Sequence, residues 1–223
     1  MASNGYFARL LRGYGRLTIF MIPIGIAINF VGGQIALLLK LPVYLDSIGT
    51  ILVGATCGSL PGALVGLLSN AINSITSPQT FAYGILSVIF GLLAGWFGRM
   101  GWFRSFWLSL LSAIPFALVG GVLGALITIW VFGGLAGDGT GIVIGTLVAL
   151  GMDLTTANFA AQMPMDILDK VPTVLIVYAI IRGIPKRLFV KLPLGYVYLG
   201  KPAPKLAPAT APATTEQQAG PRS

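Results

Sequence analysis

Apolar residues fill positions 17–39, a run of 23 interrupted by Pro23, Asn29 and Gln34. A helix of that length crosses a bilayer with some tilt. Lys40-Leu41-Pro42-Val43-Tyr44 leaves the helix, and Asp46 or Ser47 offers an N-cap for the next. Positions 47–75 then carry no charge for 29 residues, with Gly58-Ser59-Leu60-Pro61 at their centre. Glycine suits a helix exit and proline a first turn, so the pattern predicts two short helices meeting at 58–61. A fourth apolar run covers 82–98 and closes on Arg99. A fifth covers 105–135 and contains Pro115, which predicts a kink. Residues 133–162 form a glycine-rich connector with Asp138 and Asp153 and a 12-residue apolar piece at 141–152. That length is short for a span and usual for a re-entrant or interfacial segment. The sixth run starts near Pro164 and ends near Ile184, and after Leu192 the chain turns to Pro, Ala and Thr.

The expected fold class is therefore all-α, a six-helix transmembrane bundle with N- and C-termini cytoplasmic. It divides into a basic N-terminus (1–16), a membrane domain (17–191) and a disordered tail (192–223). A secretory signal peptide could imitate the N-terminus, but apolar character resumes through Ile35-Ala36-Leu37-Leu38-Leu39, which makes the stretch too long for a signal core.

Composition agrees with lipid as the main solvent. Of 223 residues, 56% are apolar and 9% charged, with a mean hydropathy of +0.88; soluble domains carry about 25% charge. The net charge of +8 does not point to nucleic acid, because Arg9, Arg12 and Arg16 precede the first run and Arg182, Lys186, Arg187 and Lys191 follow the last. With the N-terminus inside, six spans put these residues, Arg99 and Arg104 in the cytoplasm. Lys40, Asp46, Asp138, Asp153, Asp166, Asp169 and Lys170 then lie outside or at outer ends of spans, as the positive-inside rule requires.

Covalent catalysis has little to work with. Histidine is absent, which removes the commonest general base and metal ligand. Cys57 is the only cysteine, so an intramolecular disulfide and a thiolate cage are excluded. Gly195-Tyr196-Val197-Tyr198-Leu199-Gly200-Lys201 matches P-loop spacing, but Pro202 stands where a Ser or Thr would hold Mg²⁺. The expectation is a non-enzyme with no cofactor and no metal.

Binding chemistry is better represented. Glycines recur four apart at Gly54/Gly58, Gly62/Gly66, Gly91/Gly95 and Gly120/Gly124, a spacing that lets helix backbones approach within this bundle or against a partner subunit. Asn70 and Asn73 share one face of the third helix with Gly62 and Gly66. Asn158, Gln162, Asp166, Asp169 and Lys170 cluster at the outer end of the sixth, where an N-terminal dipole effect with an i,i+4 pair is the plain alternative to a solute path. The expected solute site lies between the outer halves of the third and sixth helices. Asn70, Asn73, Asn158, Gln162 and Asp166 would supply hydrogen bonds there, and Tyr44, Phe81, Tyr83 and Phe159 stacking faces.

The stretch Leu41-Pro42-Val43-Tyr44-Leu45-Asp46-Ser47-Ile48-Gly49-Thr50, leading through Gly58-Ser59-Leu60-Pro61-Gly62-Ala63-Leu64-Val65-Gly66 to Asn70, resembles the substrate-binding S component of energy-coupling-factor (ECF) transporters, as does Asp166-Ile167-Leu168-Asp169-Lys170 before an apolar run to Arg182. The resemblance covers about residues 17–188. It implies a multi-pass protein of the bacterial plasma membrane that captures a vitamin or similar micronutrient for uptake, ABC-transporter fashion, by a membrane scaffold (T) subunit and two ATPase subunits. Many members carry an Ala-x-x-x-Ala pair on the first helix for scaffold contact. The nearest positions here are Gly25 with Asn29 and Ala27 with Val31, neither a clean small pair. A ligand-binding sensor or assembly subunit without transport is the alternative.

Charge segregation sets an expected topology. In a Cys57→Ala background, cysteines introduced at Gln79 and Asp138 should react with an impermeant thiol reagent applied to intact cells, and one at Gly101 should not; labelling at Gly101 would refute six spans.

Overall fold

The computed structural model describes residues 15–39, 43–135, 137 and 139–202. Lys40, Asp138, Arg9, Arg12 and the tail from 203 onward lie outside the described residues. Those described are mostly helical, with no strand among them.

Helix α1 (Arg16–Leu38) turns Thr18, Gly25, Asn29 and Ala36 inward, and Phe20, Ile24, Val31 and Ile35 outward. That division, repeating about every two turns, is the face periodicity of a helix packed on one side only. Helices α2 (Ile48–Cys57) and α3 (Ser59–Asn73) meet at Gly58, whose φ of 109° makes the break the sequence predicts. A 3₁₀ turn (Pro78–Phe81) leads to α4 (Gly84–Arg99), and a second (Trp102–Arg104) to α5 (Phe106–Phe132). The apolar connector piece forms α6 (Gly139–Ala149). Helix α7 (Leu154–Gly183) follows, then the short turns α8 (Lys186–Phe189) and α9 (Gly195–Tyr198).

Two helices are long and apolar enough to cross a membrane by themselves, α1 over Arg16–Ala36 and α5 over its full length. Helix α2 has only 10 residues, about 15 Å at 1.5 Å per residue, against a hydrocarbon thickness of about 30 Å. It is also enclosed: every one of its residues is buried, among α1, α3, α4 and α7.

The sixth run differs from expectation. Helix α7 begins ten residues before Pro164, at Leu154, and runs through both Pro164 and Pro172. Asp153 caps it, its Oδ2 accepting the Thr156 N–H at 2.9 Å, and hydrogen bonds from Thr156 hold the Asp153 carboxyl below its usual range. A sequence reading favours proline at a helix start, whereas packing against neighbouring helices lets a long helix keep internal prolines. Asn158, Phe159 and Gln162 therefore stand on α7 rather than in a connector.

Packing of α2, α3 and α4 rests on glycine contact. A Cβ at Gly62 would lie 2.6 Å from Gly54 Cα and 2.9 Å from the Gly91 carbonyl oxygen. One at Gly91 would overlap the backbone of Gly62 and Ala63, and one at Gly66 the backbone of Ser87. These repeats thus serve packing inside the chain. At the far end of α2, Phe97 stacks on Trp102 with centroids 4.5 Å apart and meets Phe116 edge-on at 5.5 Å.

Backbone cannot move aside as a side chain can. Gly91→Ala should therefore lower stability by about 1–3 kcal/mol despite alanine's better helix propensity. Gly145→Ala on α6, where a Cβ meets nothing within 4 Å, should leave it unchanged or slightly raised; thermal unfolding in detergent reads both.

Candidate functional site

Helix α7 carries Asp166, Asp169 and Lys170 at offsets of 0, 3 and 4, which places them on one face. All three are buried, Lys170 to 2% exposure. Its ammonium contacts the Asp169 carboxylate closely, reaches Asp166 Oδ1 at 3.8 Å and Ser47 Oγ at 3.4 Å, and lies 4.6 Å from the centre of the Phe90 ring. A lysine this buried persists only with such partners.

Asp169 uses its other oxygen differently. Oδ1 accepts the backbone N–H of both Tyr44 and Leu45 at 2.8 Å, so one carboxylate grips the segment that joins α1 to α2. Leu45 has φ of +52°, the positive-φ non-glycine among the described residues. A left-handed leucine costs about 1–2 kcal/mol, and such a turn is kept where surroundings over-determine it. Here they do: the two N–H groups converge on one oxygen, and the Leu45 carbonyl packs where a Gly32 side chain would be. The Tyr44 hydroxyl closes the segment from the other side through a short hydrogen bond with the Thr140 hydroxyl on α6.

Asp166 is less committed. At 3.8 Å from Lys170 it is beyond hydrogen-bond distance, which leaves its oxygens with acceptor capacity. Its carboxylate occupies the notch at Gly120 of α5, and Gln162, one turn earlier, occupies the notch at Gly124. The Gly120/Gly124 pair thus makes room for polar side chains. Gln162 Nε2 donates to Thr128 Oγ1 at 2.9 Å, and the Thr128 hydroxyl also bonds the Tyr83 hydroxyl at 2.7 Å. Asn158 Nδ2 donates to the Gly134 and Leu154 carbonyls at 2.9 Å. Asn73, on α3, lies beside Asp46: both are within 4 Å of a Cβ built at Gly33. It is 7% exposed, and its Oδ1 is buried without a hydrogen-bond partner among the described residues.

The residues expected from sequence thus fall into separate groups. Asp166 and Tyr44 adjoin Lys170 and Asp169, Asn73 lies beside Asp46, and Gln162, Thr128 and Tyr83 are one layer away. Asn158 and half-buried Phe159 lie a turn further along α7. Asn70 is turned elsewhere, donating to the Gly66 carbonyl and Ser87 Oγ. It lines a lateral groove of about 430 Å³ with Phe81, which is 67% exposed. The site also differs in its walls: α7 packs on α5, α6 and α2, so those helices and the 43–46 segment bound the cluster, with α3 contributing Asn73.

The expected scaffold contact on α1 needs correction at two positions. Asn29 is fully buried, its Nδ2 donating to Thr50 Oγ1 at 2.8 Å and Ser69 Oγ at 2.9 Å while Oδ1 accepts the Gly49 N–H at 2.6 Å. Gly25 abuts Gly49 of α2, where a Cβ would meet Val53 and Val65. Both join α1 to its own bundle, because a buried amide must be satisfied and α2 must approach closely to do so. Ala27 faces outward.

Asp169, Lys170, Asp46 and Thr128 are central here; sequence reasoning placed Asp169 and Lys170 in the polar cluster without giving them a contact to solute, and gave Asp46 and Thr128 no site role. The 0, 3, 4 spacing was visible; the reach of Asp169 to a backbone 124 residues away was not. Comparison with family models, curated proteins and solved structures returns no match.

Asp169→Asn removes the charge that holds two N–H groups and Lys170. A hydrogen bond to a charged group contributes about 1.5–3 kcal/mol, so exchange of the Tyr44 and Leu45 amides should speed up roughly 10- to 150-fold in hydrogen–deuterium exchange, with that of α4 unchanged. Equal protection at 44–45 in the variant would show that the carboxylate is not what holds the segment.

Proposed function

We propose that this chain is the solute-capturing subunit of an ECF-type importer: a six-span protein of the bacterial plasma membrane, both termini cytoplasmic, that binds a vitamin-like solute and hands it to a scaffold subunit driven by two ATPase subunits. The reading rests on the buried Lys170 cluster and its hold on the 43–46 segment. Ionisable groups buried among apolar helices are costly and mark solute paths more often than structure, and this one is tied directly to a strand of chain at the end of the bundle. The six spans are α1, α2, α3, α4, α5 and α7, with α6 lying against α7 as an extra short helix. Antiparallel order puts Arg16, Arg99, Arg104 and Arg182 at one end and Asp46, Asp153, Asp166 and Asp169 at the other, in keeping with a cytoplasmic basic end.

On this reading the solute sits beside Asp166 and Asn73, beneath residues 43–46. Two carboxyl groups, Asp166 and Asp169, pair with one ammonium, and Asp46 is a third acidic group nearby, so a solute presenting hydrogen-bond donors or a positive charge complements the site better than an anion. The orphaned Asn73 Oδ1 is a second acceptor facing the same need. Capture closes the segment over the solute as Asp169 draws in the Tyr44 and Leu45 N–H groups; release requires that grip to loosen.

Purified protein is to be titrated with a panel of vitamins and related metabolites. For the solute that binds, Asp166→Asn and Asn73→Ala should each weaken affinity roughly 5- to 150-fold, the equivalent of about 1–3 kcal/mol for one buried polar contact. If both variants fold and bind as tightly as the parent, the cluster is structural. Binding without uptake when scaffold and ATPase subunits are co-expressed would instead support a sensor.

A further inference from the structure

At the basic end of the bundle lies a second cleft, of about 710 Å³, whose cations come from three separate stretches: Arg99 ending α4, Arg104 in the following 3₁₀ turn, and Lys201 after α9. The described acidic residues, Asp46, Asp153, Asp166 and Asp169, belong to the opposite end, and both ion pairs among the described residues involve Lys170. The three cleft cations thus face one another with no carboxylate among the described residues to neutralise them. The gathering is built into the backbone. Gly101 and Gly200 take φ of +77° and +68°, bringing the α4–α5 turn against α9 so that Arg104 Cδ lies 3.3 Å from a Cβ built at Gly101, and its Nη2 3.9 Å from one built at Gly200.

Such a cleft calls for an anion, and phosphate oxygens suit a guanidinium fork. A soluble nucleotide is the poorer fit. Despite their P-loop spacing, the N–H groups of Leu199, Gly200 and Lys201 are spent on the Gly195, Val197 and Tyr196 carbonyls, so no backbone cradle is free for a phosphate chain. The other wall is apolar: Met100 and Leu108 line the cleft and are themselves exposed. From Leu108 an exposed stripe continues along α5 through Leu111, Ile114 and Leu118, the one-face spacing of a helix. Cations at the mouth and an apolar track leading away match a molecule with a phosphate head and a hydrocarbon chain.

We propose that this cleft binds the phosphate headgroup of an anionic phospholipid, with an acyl chain along Leu111, Ile114 and Leu118 of α5. The proposal does not depend on the solute site. Basic pockets at the ends of membrane helices recognise headgroups through charge, each cation near an anionic surface contributing about a fivefold factor in affinity.

The test uses the full chain purified in neutral detergent, with phosphatidylglycerol retention counted by native mass spectrometry and thermal stability measured after adding phosphatidylglycerol, phosphatidylcholine or inorganic phosphate. The parent should retain phosphatidylglycerol and gain stability from it more than from phosphatidylcholine, with no gain from inorganic phosphate. R99Q/R104Q/K201Q should lose both effects, while K186Q/R187Q, which removes two exposed cations outside the cleft, should keep them. If the triple variant does not fold, Lys201→Gln alone should weaken retention about fivefold. An equal gain from inorganic phosphate would make this a soluble-anion site and overturn the lipid assignment; unchanged retention in the cleft variants would overturn the site itself.

Discussion

An ammonium group held away from water constrains much of this molecule. Lys170 is as buried as a core leucine, and its charge is tolerable only because Asp169, Asp166, Ser47 and the face of Phe90 surround it. Removing one partner from such a group commonly costs about 3–5 kcal/mol, so the position of α7 relative to α2 and α4 is tied to the satisfaction of a single side chain. The same carboxylate that neutralises Lys170 also orients the Tyr44–Leu45 backbone, which couples the charge balance of the helix to the path of the neighbouring segment.

That arrangement depends in turn on close backbone approach elsewhere. Glycines at 54, 62, 66 and 91 bring α2, α3 and α4 together, while Gly25 and Gly49 do the same for α1 and α2. With α2 enclosed, the Asn29 amide can satisfy Gly49, Thr50 and Ser69 from one side chain. Polar and small residues act jointly here: the glycines permit contact, and the amide rewards it in surroundings where an unsatisfied group is expensive.

Much of the fold was readable from the chain. The α2–α3 break at Gly58 and the lengths of α1, α4 and α5 follow from runs of apolar residues and their punctuation, since those are local effects. The start of α7 was not readable, because Pro164 carries the local signature of a first turn and only tertiary packing extends the helix back to Leu154. At the site, the α7 face was legible from the spacing of Asp166, Asp169 and Lys170. The roles of Asn29 and Asn70 were not, as nothing in the sequence says which helix will stand opposite an amide. Asn29 reads as a partner-side residue until Thr50 and Ser69 are seen beside it.

The last described stretch of the chain closes the base of one of the earliest helices. Leu194 donates its N–H to the Thr56 carbonyl, and the Tyr198 hydroxyl donates to Ala55; burial raises the Tyr198 phenol pKa, which keeps that proton in place. These contacts satisfy carbonyls at the end of α2 that the helix itself leaves without partners, yet their donors lie more than 100 residues further on. During synthesis, these two carbonyls can receive those donors only after Leu194 and Tyr198 have been made. The C-terminal turns thus complete the end of a helix that is made more than 100 residues earlier.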